Sequence, residues 1–255
     1  MHRRTFLSAA AAAVCACPSC LAVASESHGQ APHWSYSGKT APETWGRLSS
    51  EYAACSTGRE QSPVNLTRAI PAVTGNPVLQ WGDTPLRVLN NGHTIQVDVA
   101  PGSSMMLDGD FFQLLQFHFH HPSEHTVDGV HYPLEAHFVH RGPTGLAVLG
   151  VMFVEGPAHP TLAAIWDLMP PLPGSARDAA AAISPIHLLP ADPTTWRYAG
   201  SLTTPPCSEV VSWAVFRQPV TASPQQLQSF AALFPNNARP VQPLNRRKLL
   251  LDVLG

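Results

Sequence analysis

Charge is scarce in this chain. Only 13% of its 255 residues are Asp, Glu, Lys or Arg, the formal net charge is −2, and no long basic run occurs. A nucleic-acid surface needs concentrated positive charge, so nucleic acid is not an expected partner. Low charge is not disorder here, because 44% of the residues are hydrophobic and can build a sizeable core. Long apolar runs are also missing. The N-terminal one is broken by Pro18 and by cysteines, and no other stretch approaches the ~20 continuous apolar residues of a membrane helix. No membrane span is expected. Long helices are disfavoured as well, since 26 prolines and 17 glycines suit short elements joined by turns. After Trp34 there is no linker and no repeat, so the expectation is a single domain over residues 25–255.

Cysteine is sparse outside the N-terminus. Three of the five, Cys15, Cys17 and Cys20, fall in "MHRRTFLSAAAAAVCACPSCLAVAS", which has a basic start, an apolar run and the small-residue pattern Ala22-Val23-Ala24. This reads as a secretory signal over residues 1–24, cleaved near Ala24. Arg3 and Arg4 followed by Thr5, Phe6 and Leu7 resemble a twin-arginine signal, with an ordinary Sec signal as the alternative. A lipid anchor at Cys17 is disfavoured by its Val14-Cys15-Ala16 lead-in. The expected location is periplasmic or secreted. The mature chain then keeps Cys55 and Cys207, and two cysteines in an exported protein point to one disulfide, two separate buried thiols being the alternative.

Alternating or continuous apolar strings mark strands at "TIQVDV", "FFQLLQFHFH", "LEAHFVH", "LAVLGVMFV" and "EVVSWAVFRQPV". Helical spacing appears in "HPTLAAIWDLM" and in "SPQQLQSFAALF", where Ser223 is placed as N-cap and Pro224 at the first helical position. The expected fold is mainly β, a large, mostly antiparallel sheet with short peripheral helices.

One stretch, "QFHFHHPSEH" (residues 116–125), carries four of the 13 histidines. Side chains alternate along a strand, so His118 and His120 share a face, roughly 6.5–7 Å apart by the ~3.3 Å rise. Two imidazoles at that spacing can converge on one ion. His121, Phe117 and Phe119 point the other way. In "LEAHFVH", Glu135 precedes His137 by two and shares its face, as Gln116 does for His118. A polar acceptor at that position fixes the tautomer of a metal-bound imidazole. His140 lies on the opposite face with Phe138 at the matching place, so His137 is the preferred third ligand. Three neutral nitrogens suit Zn²⁺ and leave a fourth position open for water, as in a catalytic rather than a structural site.

At this point the chain resembles an alpha-class carbonic anhydrase. The resemblance runs from about residue 33 to 245, through "HWSY" (33–36), "QSPVNL" (61–66), "NNGHTIQV" (90–97), "QFHFH" (116–120), "SEHTVDG" (123–129), "LEAHFVH" (134–140), "GLAVLG" (145–150), "GSLTTPPC" (200–207) and "RPVQPLN" (239–245). It implies a twisted sheet with zinc in a conical cleft. It implies reversible hydration of carbon dioxide to bicarbonate and a proton, with zinc-bound hydroxide as nucleophile. His118, His120 and His137 match the zinc ligands, with Gln116 and Glu135 behind them. Thr203 matches the residue that orients the hydroxide and Glu124 the buried acid that takes the Thr203 proton. Thr203 and Thr204 match groups near the anionic product, and His93 matches the proton shuttle. Val139, Val148, Leu202 and Trp213 match the apolar wall for carbon dioxide. Cys55 and Cys207 match a disulfide of exported members. The implied partner is a small molecule, carbon dioxide or bicarbonate, and whether the chain forms a homodimer is left open.

Two departures stand out. His121 replaces a tryptophan common in animal members, and the connection to "SEH" is shorter. His121 is read as structural or exposed, and His131, His140, His159 and His187 as ordinary surface or core residues. Two rival functions are a non-catalytic binding module of the same fold, which usually lacks a zinc histidine, and a different zinc hydrolase such as an esterase, for which no acyl pocket is legible.

Overall fold

The computed structural model of the protein describes residues 32–253. The leader expected over 1–24 lies outside the described residues. Ten strands form the path that places the site: β1 (Ile70–Ala72), β2 (Thr84–Asn90), β3 (Ile95–Asp98), β4 (Asp110–His120), β5 (Leu134–Arg141), β6 (Leu146–Glu155), β7 (Ala176–Ile183), β8 (Thr195–Gly200), β9 (Val211–Phe216) and β10 (Leu250–Asp252). Their order is β7-β2-β3-β4-β5-β6-β9-β8-β10-β1, and three flanking strands at Val78–Gln80, Ser104–Leu107 and Val220–Ala222 bring the sheet to 13. Most pairings along the path are antiparallel, while β6–β9 and β10–β1 are parallel, so the sheet is mixed. A small second sheet joins Asn65–Leu66, Thr126–Val127 and Val130–His131.

Alternation explains the layering. Phe117 and Phe119 on β4, Phe138 on β5 and Leu149 and Val151 on β6 face one way, into the larger apolar core. That core is roofed by helices α1 (Pro160–Trp166) and α2 (Pro224–Leu233), whose Trp166 and Phe230 rings pack edge-on against Phe119. The opposite face of the same strands carries His118, His120 and His137, beside a smaller core built around Val148, Met152, Trp213 and Val215. β6 is buried almost throughout because β5 and β9 flank it and both faces are covered. Ser223 caps α2 reciprocally with Gln226, with Pro224 in the first turn, as its sequence led one to expect.

"EVVSWAVFRQPV" is not one strand. It breaks after Phe216 and resumes at Val220, on the far side of Pro219, and both pieces pair with β6. β7, "ARDAAAAI", pairs at the sheet edge with β2 and was not foreseen, since alanine is a poor strand former.

Cys55 and Cys207 form a disulfide, with Cα atoms 5.0 Å apart and a sequence separation of 152. It lies in a third cluster with Trp45 and Tyr52. A structural disulfide marks a protein of an oxidising compartment outside the cytoplasm. No helix among the described residues is long and apolar enough to cross a membrane. Closing a loop of that length contributes up to about 5 kcal/mol on a chain-entropy basis. Protein lacking residues 1–24 should therefore show no free thiol when denatured without reductant, and Cys55→Ala/Cys207→Ala should be less stable to urea. Two titratable thiols in the unreduced protein would contradict the bond.

His140 gives the fold a pH dependence. It is buried, its Nδ1 donates to the Phe138 carbonyl 2.9 Å away, and its ring lies on Trp81. Burial lowers its pKa from 6.5 to about 4. The unfolded chain then binds a proton more readily than the folded one between those values, so stability falls as pH falls through that window. The loss expected from this one group is on the order of 3 kcal/mol. Urea melts of His140→Leu should show a shallower fall between pH 6.5 and 4 than the wild type. An unchanged slope would move the effect elsewhere.

Candidate metal centre and active site

Strand pairing brings the three histidines together. His137 on β5 is the register partner of His118 on β4, and Glu135 is the partner of His120. The ring centroids of His118 and His120 are 5.0 Å apart, those of His118 and His137 5.5 Å, and those of His120 and His137 4.6 Å. One ligating atom from each of the three lies within 4.8 Å of the others.

The hydrogen bonds set the tautomers. Gln116 Oε1 lies 2.9 Å from His118 Nδ1, the Asn237 carbonyl 2.8 Å from His120 Nδ1, and Glu135 Oε1 2.9 Å from His137 Nε2. All three acceptors lack a hydrogen, so each held nitrogen carries the N–H. The remaining nitrogens, Nε2, Nε2 and Nδ1, are left as bare lone pairs. His120 Nε2 is buried with no hydrogen-bond partner. Three convergent neutral nitrogens, one an otherwise unexplained buried acceptor, fit a tetrahedral zinc with an open position. Burial, followed by the neighbouring histidines, holds His118 well below the usual imidazole pKa, which keeps its lone pair free. Burial also lowers His120, against the Glu124 charge.

Glu135 anchors the arrangement. Its carboxylate accepts from His137, from His125 Nδ1 at 2.7 Å, and from the backbone N–H groups of Glu124 and His125 at 2.8 and 2.9 Å. Burial alone would raise its pKa, but His125 and His137 outweigh that and hold it well below the usual range. Gly150 leaves the room: a Cβ there would lie 3.1 Å from Glu135 Oε1.

An apolar stripe runs beside the histidines. Val139 follows His137 by two and shares its face, Val139 pairs with Val148, and Val148 pairs with Trp213. Leu202 packs on the same cluster. On the other side, a cleft of about 150 Å³ is lined by His118, His120, His93, Trp34 and Thr204 among others.

The model of the eukaryotic-type carbonic anhydrase family matches residues 40–252. The chain belongs to the alpha, or eukaryotic-type, carbonic anhydrase family. It is similar to a carbonic anhydrase of Pectobacterium carotovorum, 44% identical over 220 residues that cover 86% of this chain and 90% of that protein. A carbonic anhydrase of Nostoc sp. is 45% identical over 235 residues, covering 89% of each. Among solved structures, the alpha-carbonic anhydrase of Thermovibrio ammonificans with the inhibitor sulfanilamide aligns with a TM-score of 0.84 at 47% identity, covering 86% of this chain and 99% of that one.

The other expected residues of a carbonic anhydrase site fall as follows. His93 lies in the turn after β2 and lines the cleft, its ring stacked on Trp34 at 3.7 Å. Burial, then the His33 charge, lowers its pKa. Thr203 is buried, and Thr204 lines the cleft. The hydrogen bond expected between Thr203 and Glu124 is not formed. Glu124 Oε1 accepts from the Arg239 N–H at 2.8 Å. Its Oε2 is turned toward the histidines, 3.5 Å from His120 Nε2 and 3.8 Å from His137 Nδ1, and has no hydrogen-bond partner. His121 is tied to Pro133 through its ring and to Asn237 through its backbone, away from the three-nitrogen cluster.

Asn237, His125 and Arg239 were not singled out from the sequence. Asn237 acts toward His120 through a backbone carbonyl, which leaves no mark on residue type. His125 could have been found, since it stands inside "SEHTVDG" with Glu135 as a nearby carboxylate.

Metal analysis of the purified protein should find about one zinc per chain, and His118→Ala, His120→Ala and His137→Ala should each lose most of it. His121→Ala and His140→Ala should retain it. Loss with His140→Ala but not with His137→Ala would overturn the choice of the third ligand.

Proposed function

We propose that residues 25–255 form a zinc-dependent domain that reversibly hydrates carbon dioxide to bicarbonate and a proton, exported by the leader at 1–24 to the periplasm or beyond. The observation that carries this reading is the set of three ring nitrogens whose opposite nitrogens are all held by acceptors, next to the Val139–Val148–Trp213 stripe. When bound, zinc supplies hydroxide at neutral pH by lowering the pKa of a water from 15.7 to about 7, carbonic anhydrase being the type case. His118, His120 and His137 hold the ion, and Gln116, Glu135 and the Asn237 carbonyl orient them.

Carbon dioxide is apolar, so Val139, Val148, Leu202 and Trp213 serve it by excluding water rather than by hydrogen bonding. Bicarbonate is charged and polar, and Thr203 and Thr204 offer it backbone and hydroxyl groups. Thr203 must present its hydroxyl oxygen as acceptor at the reacting centre, which requires its own proton to be taken elsewhere. The unused Oε2 of Glu124 is a buried acceptor suited to that. Each turnover releases a proton, and a ring nitrogen of His93 at the cleft carries it to buffer, an imidazole being a side chain suited to such a relay. The Trp34 stack offers that ring one resting place.

A carbon dioxide hydration assay run together with zinc analysis tests this reading. Zinc without hydration would favour a binding module, and ester hydrolysis without hydration would favour another hydrolase. His93→Ala should keep zinc and lower kcat more than kcat/KM, by about 10²-fold or less because buffer substitutes for a shuttle. Imidazole should restore much of the loss. Thr203→Ala should instead lower kcat/KM and resist rescue. Unchanged kcat for His93→Ala at low buffer would assign the proton path to another group or to water.

A further inference from the structure

Asn237 touches both ends of this chemistry, although it lies far from either in sequence. It is buried, and each of its polar groups is engaged. Its backbone carbonyl accepts from the His120 Nδ1–H at 2.8 Å, and its backbone N–H donates to the His121 carbonyl at 3.0 Å. Its side-chain Oδ1 accepts from the His121 N–H at 2.7 Å. Its Nδ2 donates to the Phe119 carbonyl at 3.0 Å and to the His93 carbonyl at 2.9 Å. Backbone and side chain therefore do different things. The backbone fixes a metal-site imidazole, and the amide ties the His93 turn to the end of β4.

The His93 turn needs that tie. Gly92 holds a φ of +88°, and Asn91 Oδ1 closes the turn by accepting from the N–H groups of His93 and Thr94. Those bonds shape the turn but fix it only to itself. Thr94 reaches β4, donating its hydroxyl to the Phe119 carbonyl at 2.5 Å. At His93 itself, the carbonyl bond to Asn237 is the contact that joins this residue's backbone to the strand carrying His118 and His120. An amide is required because the group must donate to two carbonyls and accept from one N–H at once. Aspartate, nearly the same shape, can only accept when ionised and would face the two carbonyls with like charge.

We propose that the Asn237 side chain is a positioning residue that sets the reach of His93 relative to the metal centre, so that proton transfer and metal holding are served by different atoms of one residue. This rests on the proton-relay role of His93 given above. Because the metal-site contact uses the backbone carbonyl, a side-chain substitution should affect proton transfer before it affects zinc.

The test compares Asn237→Asp with wild type and with His93→Ala. Asn237→Asp should keep about one zinc by elemental analysis, lower kcat about 3–10-fold at low buffer with a much smaller fall in kcat/KM, and regain turnover with imidazole. Hydrogen exchange at the backbone amides of His93 and Thr94 should rise more than tenfold. Loss of zinc, or an equal fall in kcat and kcat/KM that imidazole does not rescue, would show a merely structural role and overturn the inference. So would unchanged exchange at residues 93–94. If His93→Ala itself leaves kcat unchanged, the relay reading fails, and the exchange measurement alone then decides whether Asn237 holds the turn. Should Asn237→Asp not fold, wild-type NMR decides the same point: the Asn237 side-chain amide protons should exchange slowly, and rapid exchange would overturn the inference.

Discussion

A single buried carboxylate, that of Glu135, is the interaction on which the site rests. It accepts from two imidazoles and two backbone N–H groups and has no exposure to water. Removing a partner from a buried charge is strongly destabilising, so this residue is bound to its surroundings by necessity. Its backbone donors lie in the 123–125 segment, its His137 bond fixes a tautomer, and its His125 bond extends to Tyr198 on β8, whose hydroxyl is 2.6 Å from His125 Nε2. The segment leading to Glu124, the central strand β5 and the more distant β8 are thereby tied to one pair of oxygens.

Sheet register does the rest. Pairing of β4 with β5 sets His118 opposite His137, and pairing of β5 with β6 and of β6 with β9 sets three apolar residues in line beside them. A one-residue slip of β5 would turn His137 and Val139 away together and bring Phe138 into their place. The phenylalanines on the other face resist such a slip, because Phe117, Phe119 and Phe138 are fully buried against the larger core. Packing on one face of the sheet thus keeps the chemistry of the other in place.

The elements legible in the sequence were those whose side chains carry their own signal. The strands around "FFQLLQFHFH", "LEAHFVH" and "LAVLGVMFV" announce themselves by apolar alternation or by a continuous buried run, and α2 by its cap. The convergence of His118, His120 and His137 followed from parity, and the acceptors Gln116 and Glu135 from their spacing. Illegible were contributions made by backbone or by long-range closure. The Asn237 carbonyl that serves His120 has no residue-type signature, and the two stand 117 positions apart in sequence. The alanine-rich β7 owes its conformation to β2 rather than to its own propensity. The orientation of Glu124, whose Oε2 faces the rings with no hydrogen-bond partner, likewise depends on side-chain rotation that no sequence specifies.

The disulfide divides the chain into a closed loop and a tail, and the two do not share the site equally. His118, His120 and His137 all lie inside the loop between Cys55 and Cys207, whereas Asn237 lies in the tail beyond it. During synthesis, therefore, all three histidines and both cysteines are made before the acceptor of His120 exists. Until residue 237 has been added, His120 has nothing from Asn237 to fix which of its nitrogens carries the proton. The strands that carry the three histidines can pair, yet the His120 imidazole stays free to change tautomer. Completion of the metal centre in this way waits on residue 237, and a chain truncated before Asn237 would keep every ligand while lacking the group that makes one of them ready.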